Sequence, residues 1–427
     1  IRHNKMTELV TEGRKLVTIR KITAIHPIEN ADAIEAAMVD GWQVVIKKGE
    51  FSVGDFCIFF EIDSFLPASD ERFSFLARNG TKTDENGVER IRLRSVKLRQ
   101  TLSQGLALPI KLFCKDIWSI SEYPCVIRGG FDDDAIMSSI SNILVELEDS
   151  RFGIEQYLDV TKYERPDERN GGTGAGKAKT AGNFPIFIPK TDEDRVQNIF
   201  GKFSQTMKGV PFRKSLKLDG SSETIAFVSN PDFFIDKIDD VVQEWNEETQ
   251  TLEVKEVLPY PFTWEEGQGI VCSRNLALKF DASTAFWKAA LKDDILERLR
   301  KYCTDNNRQL ALQGECMGPG IQGNRENLEE HTFFCFRIWD IDAQNFLDDA
   351  EFLVLTAILG ISVVPQDEVV YFFDKYETIA DALASADHAS ITHPIAEGDV
   401  YKSTVKVNGQ TIHFKVINNK FLLKCED

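Results

Sequence analysis

Between residues 14 and 110 the chain breaks into short apolar runs separated by glycine-bearing turns, and this cadence limits the fold more than any other feature. The first run is Lys15-Leu16-Val17-Thr18-Ile19-Arg20-Lys21-Ile22, followed by a turn and strand from Asp32 to Met38. Trp42-Gln43-Val44-Val45-Ile46-Lys47 comes next, and Gly54-Asp55 leads into Phe56-Cys57-Ile58-Phe59-Phe60-Glu61-Ile62-Asp63. Runs this short, punctuated by Asp-Gly, Lys-Gly-Glu and Val-Gly-Asp, predict a small barrel or sandwich. Farther on, Arg90-Ile91-Arg92-Leu93-Arg94 alternates strictly, with Lys97 and Arg99 close behind. Its three arginines share one face of a strand, either a solvated edge or a phosphate-contacting surface.

At 427 residues the chain is long enough for two or three cores. No run of about 18 apolar residues appears, which predicts no membrane span, and no secretory signal pattern opens the chain. Ile1–Lys5 precede Met6 and are set aside. The net charge of −18 disfavours a broadly nucleic-acid-binding surface but leaves room for a basic cleft. Eight scattered cysteines without a C-x-x-C pair suit small core residues in a reducing, intracellular compartment and speak against structural zinc.

Past residue 112 the character changes. Residues 136–147 read as a short helix, and Arg165 to Thr180 as an exposed glycine- and lysine-rich linker. Within it, Gly171-Gly172-Thr173-Gly174-Ala175-Gly176-Lys177 has most of a P-loop pattern. Ala178 replaces the hydroxyl that would hold Mg²⁺, and no apolar strand precedes the loop, so it is read as flexible. From Asn183-Phe184-Pro185 onward, helices and strands mix. A helix is predicted from a Ser283 or Thr284 cap through Phe286, Ala290, Ile295, Leu299 and Tyr302. Others span 352–359 and 378–385. Strands are predicted over 223–228, 309–315, 333–341, 369–373, 399–403 and 413–417, and residues 231–257 form an acidic insertion without a clear assignment.

The chemistry centres on Ser215-Leu216-Lys217-Leu218-Asp219-Gly220-Ser221-Ser222-Glu223-Thr224. A lysine amine has an ordinary pKa near 10.4 and is a poor nucleophile until its surroundings deprotonate it. Beside a polyphosphate and a metal ion it can attack phosphorus. Alone, Lys-x-Asp-Gly is more often a surface turn. Five later segments change that reading: Val271-Cys272-Ser273-Arg274-Asn275; Gln313-Gly314-Glu315-Cys316-Met317-Gly318; Phe333-Phe334-Cys335-Phe336-Arg337-Ile338; Ala396-Glu397-Gly398-Asp399-Val400-Tyr401-Lys402; and Phe414-Lys415-Val416-Ile417 running on to Lys420.

In this order the six segments resemble the motifs of covalent nucleotidyltransferases, the superfamily of ATP-dependent ligases and mRNA-capping enzymes. With Lys15 to Ile28, Asp40 to Asp63, Ser103-Gln104-Gly105-Leu106, Pro189-Lys190-Thr191-Asp192 and Arg195-Val196-Gln197-Asn198, the chain resembles the fifth family of RNA ligases. That resemblance implies an α+β protein: an N-terminal OB-type β-barrel (6–112), a linker with insertions (113–182), and an ATP-grasp-like nucleotidyltransferase domain of antiparallel sheets and helices (183–427) carrying the 231–257 insertion. An OB domain ahead of the catalytic one separates this family from DNA ligases and capping guanylyltransferases. A non-catalytic OB-type nucleic-acid binder is the rival from another class.

The resemblance also implies roles. Lys217 takes AMP from ATP, passes it to an RNA 5′-phosphate, and the end is sealed to a 3′-hydroxyl, as at a nick in a duplex, by a monomer. Leu216, Asp219, Arg195, Arg274, Glu315, Glu397, Lys402, Lys415 and Lys420 line the ATP site, with Phe334 or Phe336 stacked on adenine. Asp219, Glu315 and Glu397 serve Mg²⁺ or Mn²⁺, holding it largely through water, and Asp63 either reaches a second ion or simply ends a surface strand. Two departures stand out. Arg337 occupies a place where many relatives have aspartate, and Ile417 replaces a second lysine, for which Lys420 substitutes.

Overall fold

The computed structural model describes residues 15–113 (except 85), 155, 157–163, 179–246 (except 237) and 249–424. The predicted helix at 136–147 and the glycine-rich loop at 171–177 lie outside the described residues. Two compact units emerge. One contains 15–163 with 197–201 and 422–424; the other contains 179–196 and 202–421.

The N-terminal unit is built on one bent strand, Val17–Pro27. Its first half, Val17 to Lys21, pairs antiparallel with Phe56–Phe60, and its second half, from Ile22, pairs with Ile34–Val39. An irregularity between Ile22 and Ala24 separates the halves and lets the sheet curl. Trp42–Lys47 and Leu106–Pro109 flank the two sides, giving five strands. Phe56–Phe60 is apolar throughout because both of its faces are covered. Cys57 and Phe59 pack with Trp42, Val44 and Ile46, whereas Ile58 and Phe60 pack with Leu66, Phe73 and Leu108. This is an OB-type curled sheet, one of the small barrels or sandwiches that the cadence of short runs predicts and the one that the resemblance implies. A separate hairpin, Val96–Leu98 with Thr101–Ser103, turns through Arg99 and Gln100, both left-handed (φ 48° and 66°), the signature of a tight two-residue turn.

The arginine run does not form one face. Its strand is only Glu89–Arg92. Arg90 is 4% exposed and bonded to Asp84 (2.5 Å) and Asp159 (3.0 Å), while Arg92 pairs with Asp63 at 2.7 Å. Arg94 lies beyond the strand and is exposed.

Among the described residues the C-terminal unit contains two main sheets. The larger places Ser221–Val228 between Gly267–Ser273 and Leu310–Met317, with Thr332–Asp340 beyond, all antiparallel. Helices cover one of its faces, where Ile225, Phe227 and Leu312 meet Trp287, Leu299 and Leu355. The smaller sheet runs Asp194–Arg195, His413–Ile417, Gly398–Ser403, Phe212–Lys217 and Gln366–Val370. Lys217 ends a strand of the small sheet and Ser221 begins one of the large sheet. Residues 218–220 therefore carry the chain from one sheet to the other.

Local differences have physical reasons. The single helix predicted from Thr284 is two, Ala285–Leu291 and Ile295–Asn306, because Asp293 and Asp294 adopt left-handed φ of 52° and 55°. The strand predicted at 369–373 lies earlier, at Gln366–Val370; Phe372 and Phe373 instead enter a helical turn and bury against Phe212, Tyr401 and Phe414. The helix predicted at 352–359 starts at Asp349, where Asp348 and Glu351 form a capping box, and stops at left-handed Gly360. The unassigned insertion forms an antiparallel hairpin, Asp240–Asn246 with Thr251–Leu258. Among the described residues no helix is long and apolar enough to cross a membrane. Cys57, Cys272, Cys303, Cys316 and Cys335 are free and buried.

Candidate active site

A cleft of about 310 Å³ opens where residues 218–220 pass between the sheets. Strand pairing sets its geometry. Lys217 lies opposite Gly398, which brings Glu397 beside it, and Lys217 Nζ donates to Glu397 Oε2 at 2.8 Å. Ser222 lies opposite Glu315, so that carboxyl enters from the large sheet. Two glycines permit the close approach. A Cβ on Gly220 would sit 2.6 Å from the Cys316 carbonyl and 2.7 Å from Glu315 Cγ; one on Gly398 (φ 149°) would sit 2.1 Å from the Val416 carbonyl.

Charge is densely opposed here. Burial works to lower the Lys217 pKa, but Glu397, Glu315 and Glu193 outweigh it and raise the pKa above the ordinary lysine range. Glu315 is pushed up to about 8 by burial, with Glu397 and Asp219 adding repulsion against the pull of Lys217. Asp219 pairs with Arg325 Nε at 3.2 Å. On another wall Asp192 bridges two cations, Lys415 (3.3 Å) and Arg274 (3.6 Å). Burial lowers the Lys415 pKa, opposed by Asp192. Glu193 pairs with Arg337 at 3.2 Å and, despite burial, is held at about 2 by Arg337, His413, Lys415 and Lys402. Lys402 falls to about 7 through burial and the repulsion of Arg337, and its ammonium donates to the Phe336 carbonyl. Such a site, cationic walls around one lysine with carboxylates beneath, suits a polyphosphate and a divalent ion.

An OB-fold domain model matches residues 16–110, and an RNA ligase model matches residues 211–417. A Naegleria gruberi RNA ligase variant with ATP and Mn is 32% identical, with a TM-score of 0.68 over 97% of this chain and 100% of that one. The same ligase with PPi is 33% identical, with a TM-score of 0.67 over 96% and 99%. A further variant in its apo form is 32% identical, with a TM-score of 0.68 over 96% and 98%. The chain belongs to the RNA ligase family. No curated protein sequence matches it.

In this ligase the cleft gathers Leu216, Lys217, Asp219, Arg274, Glu315, Phe336, Glu397, Lys402 and Lys415. Both aromatic candidates pack against Leu218, Met317 and Val364, but of the two it is Phe336 that lines the cleft. Three expected residues are not among those lining the cleft. Arg195 is 8% exposed on the two-residue strand paired with His413–Ile417, outside the cleft lining. Lys420 pairs with Asp387 at 2.5 Å, and Asp63 belongs to the N-terminal unit, paired with Arg92. Among the described residues no three His, Cys, Asp or Glu side chains converge as direct metal ligands. Asp219, Glu315 and Glu397 nevertheless share the cleft, where burial, with added repulsion from Glu397 and Asp219, raises the Glu315 pKa. That donor set fits a divalent ion retaining much of its water.

Sequence reasoning quoted Asp192 but did not cast it as a charge bridge, and it missed Glu193 and Phe286, which line the cleft, and Arg325, which holds Asp219. Asp192 and Glu193 precede a strand of only two residues, below any periodicity signal. Phe286 reads as an ordinary helix core residue. Arg325 follows a turn at Gln322–Asn324 whose direction depends on three successive unusual φ values. The Arg337 departure has a partner in the fold: it bonds to Glu193 and stacks over Phe346 at 4.4 Å.

Proposed function

We propose that this RNA ligase is ATP-dependent and works through a lysyl-AMP at Lys217. The Lys217 nitrogen forms a bond to the α-phosphorus while the α–β phosphoanhydride breaks and pyrophosphate leaves. An RNA 5′-phosphate oxygen then displaces Lys217 from that phosphorus, giving an A(5′)pp(5′)RNA end. Attack by a 3′-hydroxyl on the RNA phosphate releases AMP and leaves a phosphodiester. The single observation that carries this reading is the 2.8 Å contact between Lys217 and Glu397 in a cleft walled by Lys415 and Arg274. Lys217 must lose a proton before it attacks, and Glu397 is an acceptor already within reach.

Lys415 and Arg274 neutralise charge on the phosphates, Asp192 holds both in place, and Phe336 with Lys402 takes the base. Asp219, Glu315 and Glu397 would hold Mg²⁺ or Mn²⁺, which when bound supplies positive charge that favours the neutral amine and offsets charge on the α-phosphate. A monomer is the proposed working form. A nick in an RNA duplex is the proposed substrate, and free buried cysteines support a reducing, intracellular setting.

The test is covalent labelling. With α-labelled ATP and Mg²⁺, label should remain on the denatured protein, and Lys217→Ala should abolish it while leaving the melting temperature nearly unchanged. Absence of the adduct in enzyme stripped of bound AMP would refute ATP dependence, and labelling by GTP alone would indicate capping chemistry. Replacing ribose by deoxyribose at the 3′-hydroxyl side of the nick should slow sealing most.

A further inference from the structure

The arginine-rich stretch divides into two populations. Arg90 and Arg92 are committed to Asp84, Asp159 and Asp63. Arg94, Lys97 and Arg99 are exposed, and among the described residues no carboxylate pairs with any of them. The latter three lie on and beside the Val96–Leu98/Thr101–Ser103 hairpin, whose tip is fixed by left-handed Arg99 and Gln100. Five extended residues span at most about 16–18 Å, so three cations sit within reach of several consecutive phosphates.

Two facts favour a specific ligand over simple solvation. First, the protein carries a net charge of −18, so its long-range field repels nucleic acid and any RNA contact must come from local, unpaired cations. Second, residues 94–103 include no aromatic side chain. Recognition of single strands relies on stacking bases against aromatic rings, and this hairpin offers none. It offers point charges on a tight two-residue turn, flanked by Val96 and Leu98, which are 40% and 42% exposed.

We propose that the 96–103 hairpin of the N-terminal unit, with Arg94, Lys97 and Arg99, grips the phosphate backbone of duplex RNA. It does so without reading sequence. This rests on the RNA ligase reading, which it deepens by naming how a duplex substrate is held by the N-terminal unit.

The experiment measures binding of a nicked RNA duplex, with a 5′-phosphate and a 3′-deoxy terminus to block sealing, across a salt series. Wild type is compared with the triple variant R94A/K97A/R99A and with R94K/R99K. Each lost phosphate contact removes roughly one unit from the slope of log affinity against log salt. The triple variant should lose about two to three units, with about tenfold or greater weakening near 0.1 M salt, while R94K/R99K retains the wild-type slope. Its melting temperature and its labelling by ATP should match wild type. An unchanged slope overturns the proposal, as does a loss confined to single-stranded RNA. Failure of wild type to label with ATP would instead strike the ATP-dependent reading, so the two failures are separable.

Discussion

At the scale of single residues, the site is a set of groups whose charges are set by one another. Glu315 shows this best. Its pKa of about 8 in the folded protein lies above the ordinary glutamate value of 4.5, chiefly because burial disfavours the charged form. A group whose folded pKa is raised favours the native state at low pH. That contribution is lost as pH climbs from about 4.5 through about 8. In the absence of nucleotide and divalent ions, Glu315→Gln should therefore stabilise the protein at pH 8 by roughly 1–3 kcal/mol. The gain should shrink toward pH 5, and adenylylation should fall at least about a hundredfold. Thermal melts at the two pH values check the sign, and equal melting shifts at both would exclude the proposed repulsion. The mutual influence of Glu397, Asp219 and Lys217 on Glu315 could not be read from sequence, since the four residues span 217 to 397 and meet only through strand register.

At the scale of elements, the two central sheets were legible and their junctions were not. Alternation and β-branched content locate the strands around 223–228, 310–317, 398–403 and 413–417, since each must bury at least one face. The two-residue strand at Asp194–Arg195 escapes because nothing in its composition announces pairing; it exists because His413–Ile417 offers a free edge. The break at Asp293–Asp294 escapes because left-handed aspartates cost little and leave no mark on helical spacing. Gly220 belongs to this scale as well. It was visible as half of a turn dipeptide, yet its necessity comes from the neighbouring strand. Gly220→Ala would drive a methyl to 2.6 Å from the Cys316 carbonyl, so it should cost about 1–3 kcal/mol. Lysine labelling should drop at least tenfold while far-UV circular dichroism is retained. Full labelling would show that the strand gives way.

At the scale of the whole molecule, the N-terminal barrel was legible from its cadence, and the catalytic half from its motif order. The arginine run was not. Period-two counting put three side chains on one face, whereas the fold buries the first, pairs the second and exposes the third. The two units have separate apolar cores, one around Phe59, Phe60 and Trp42, the other around Phe227, Trp287 and Leu312. Separate cores predict calorimetric unfolding in more than one step. AMP should raise only the transition of the unit that carries Lys217, by an amount that grows with ligand concentration. Equal shifts of every transition would mean that the units melt as one.

The three residues between Lys217 and Ser221 act as a tether without slack. Leu218 is buried against Met317 and Val364, and Gly220 has no room for a methyl, so no spare length is stored in the crossing. Any relative sliding of the two sheets must pull directly on the attacking nitrogen. Nucleotide held by groups from both sheets would thus set the aim of Lys217, much as a taut bowstring is set by the two limbs that hold it.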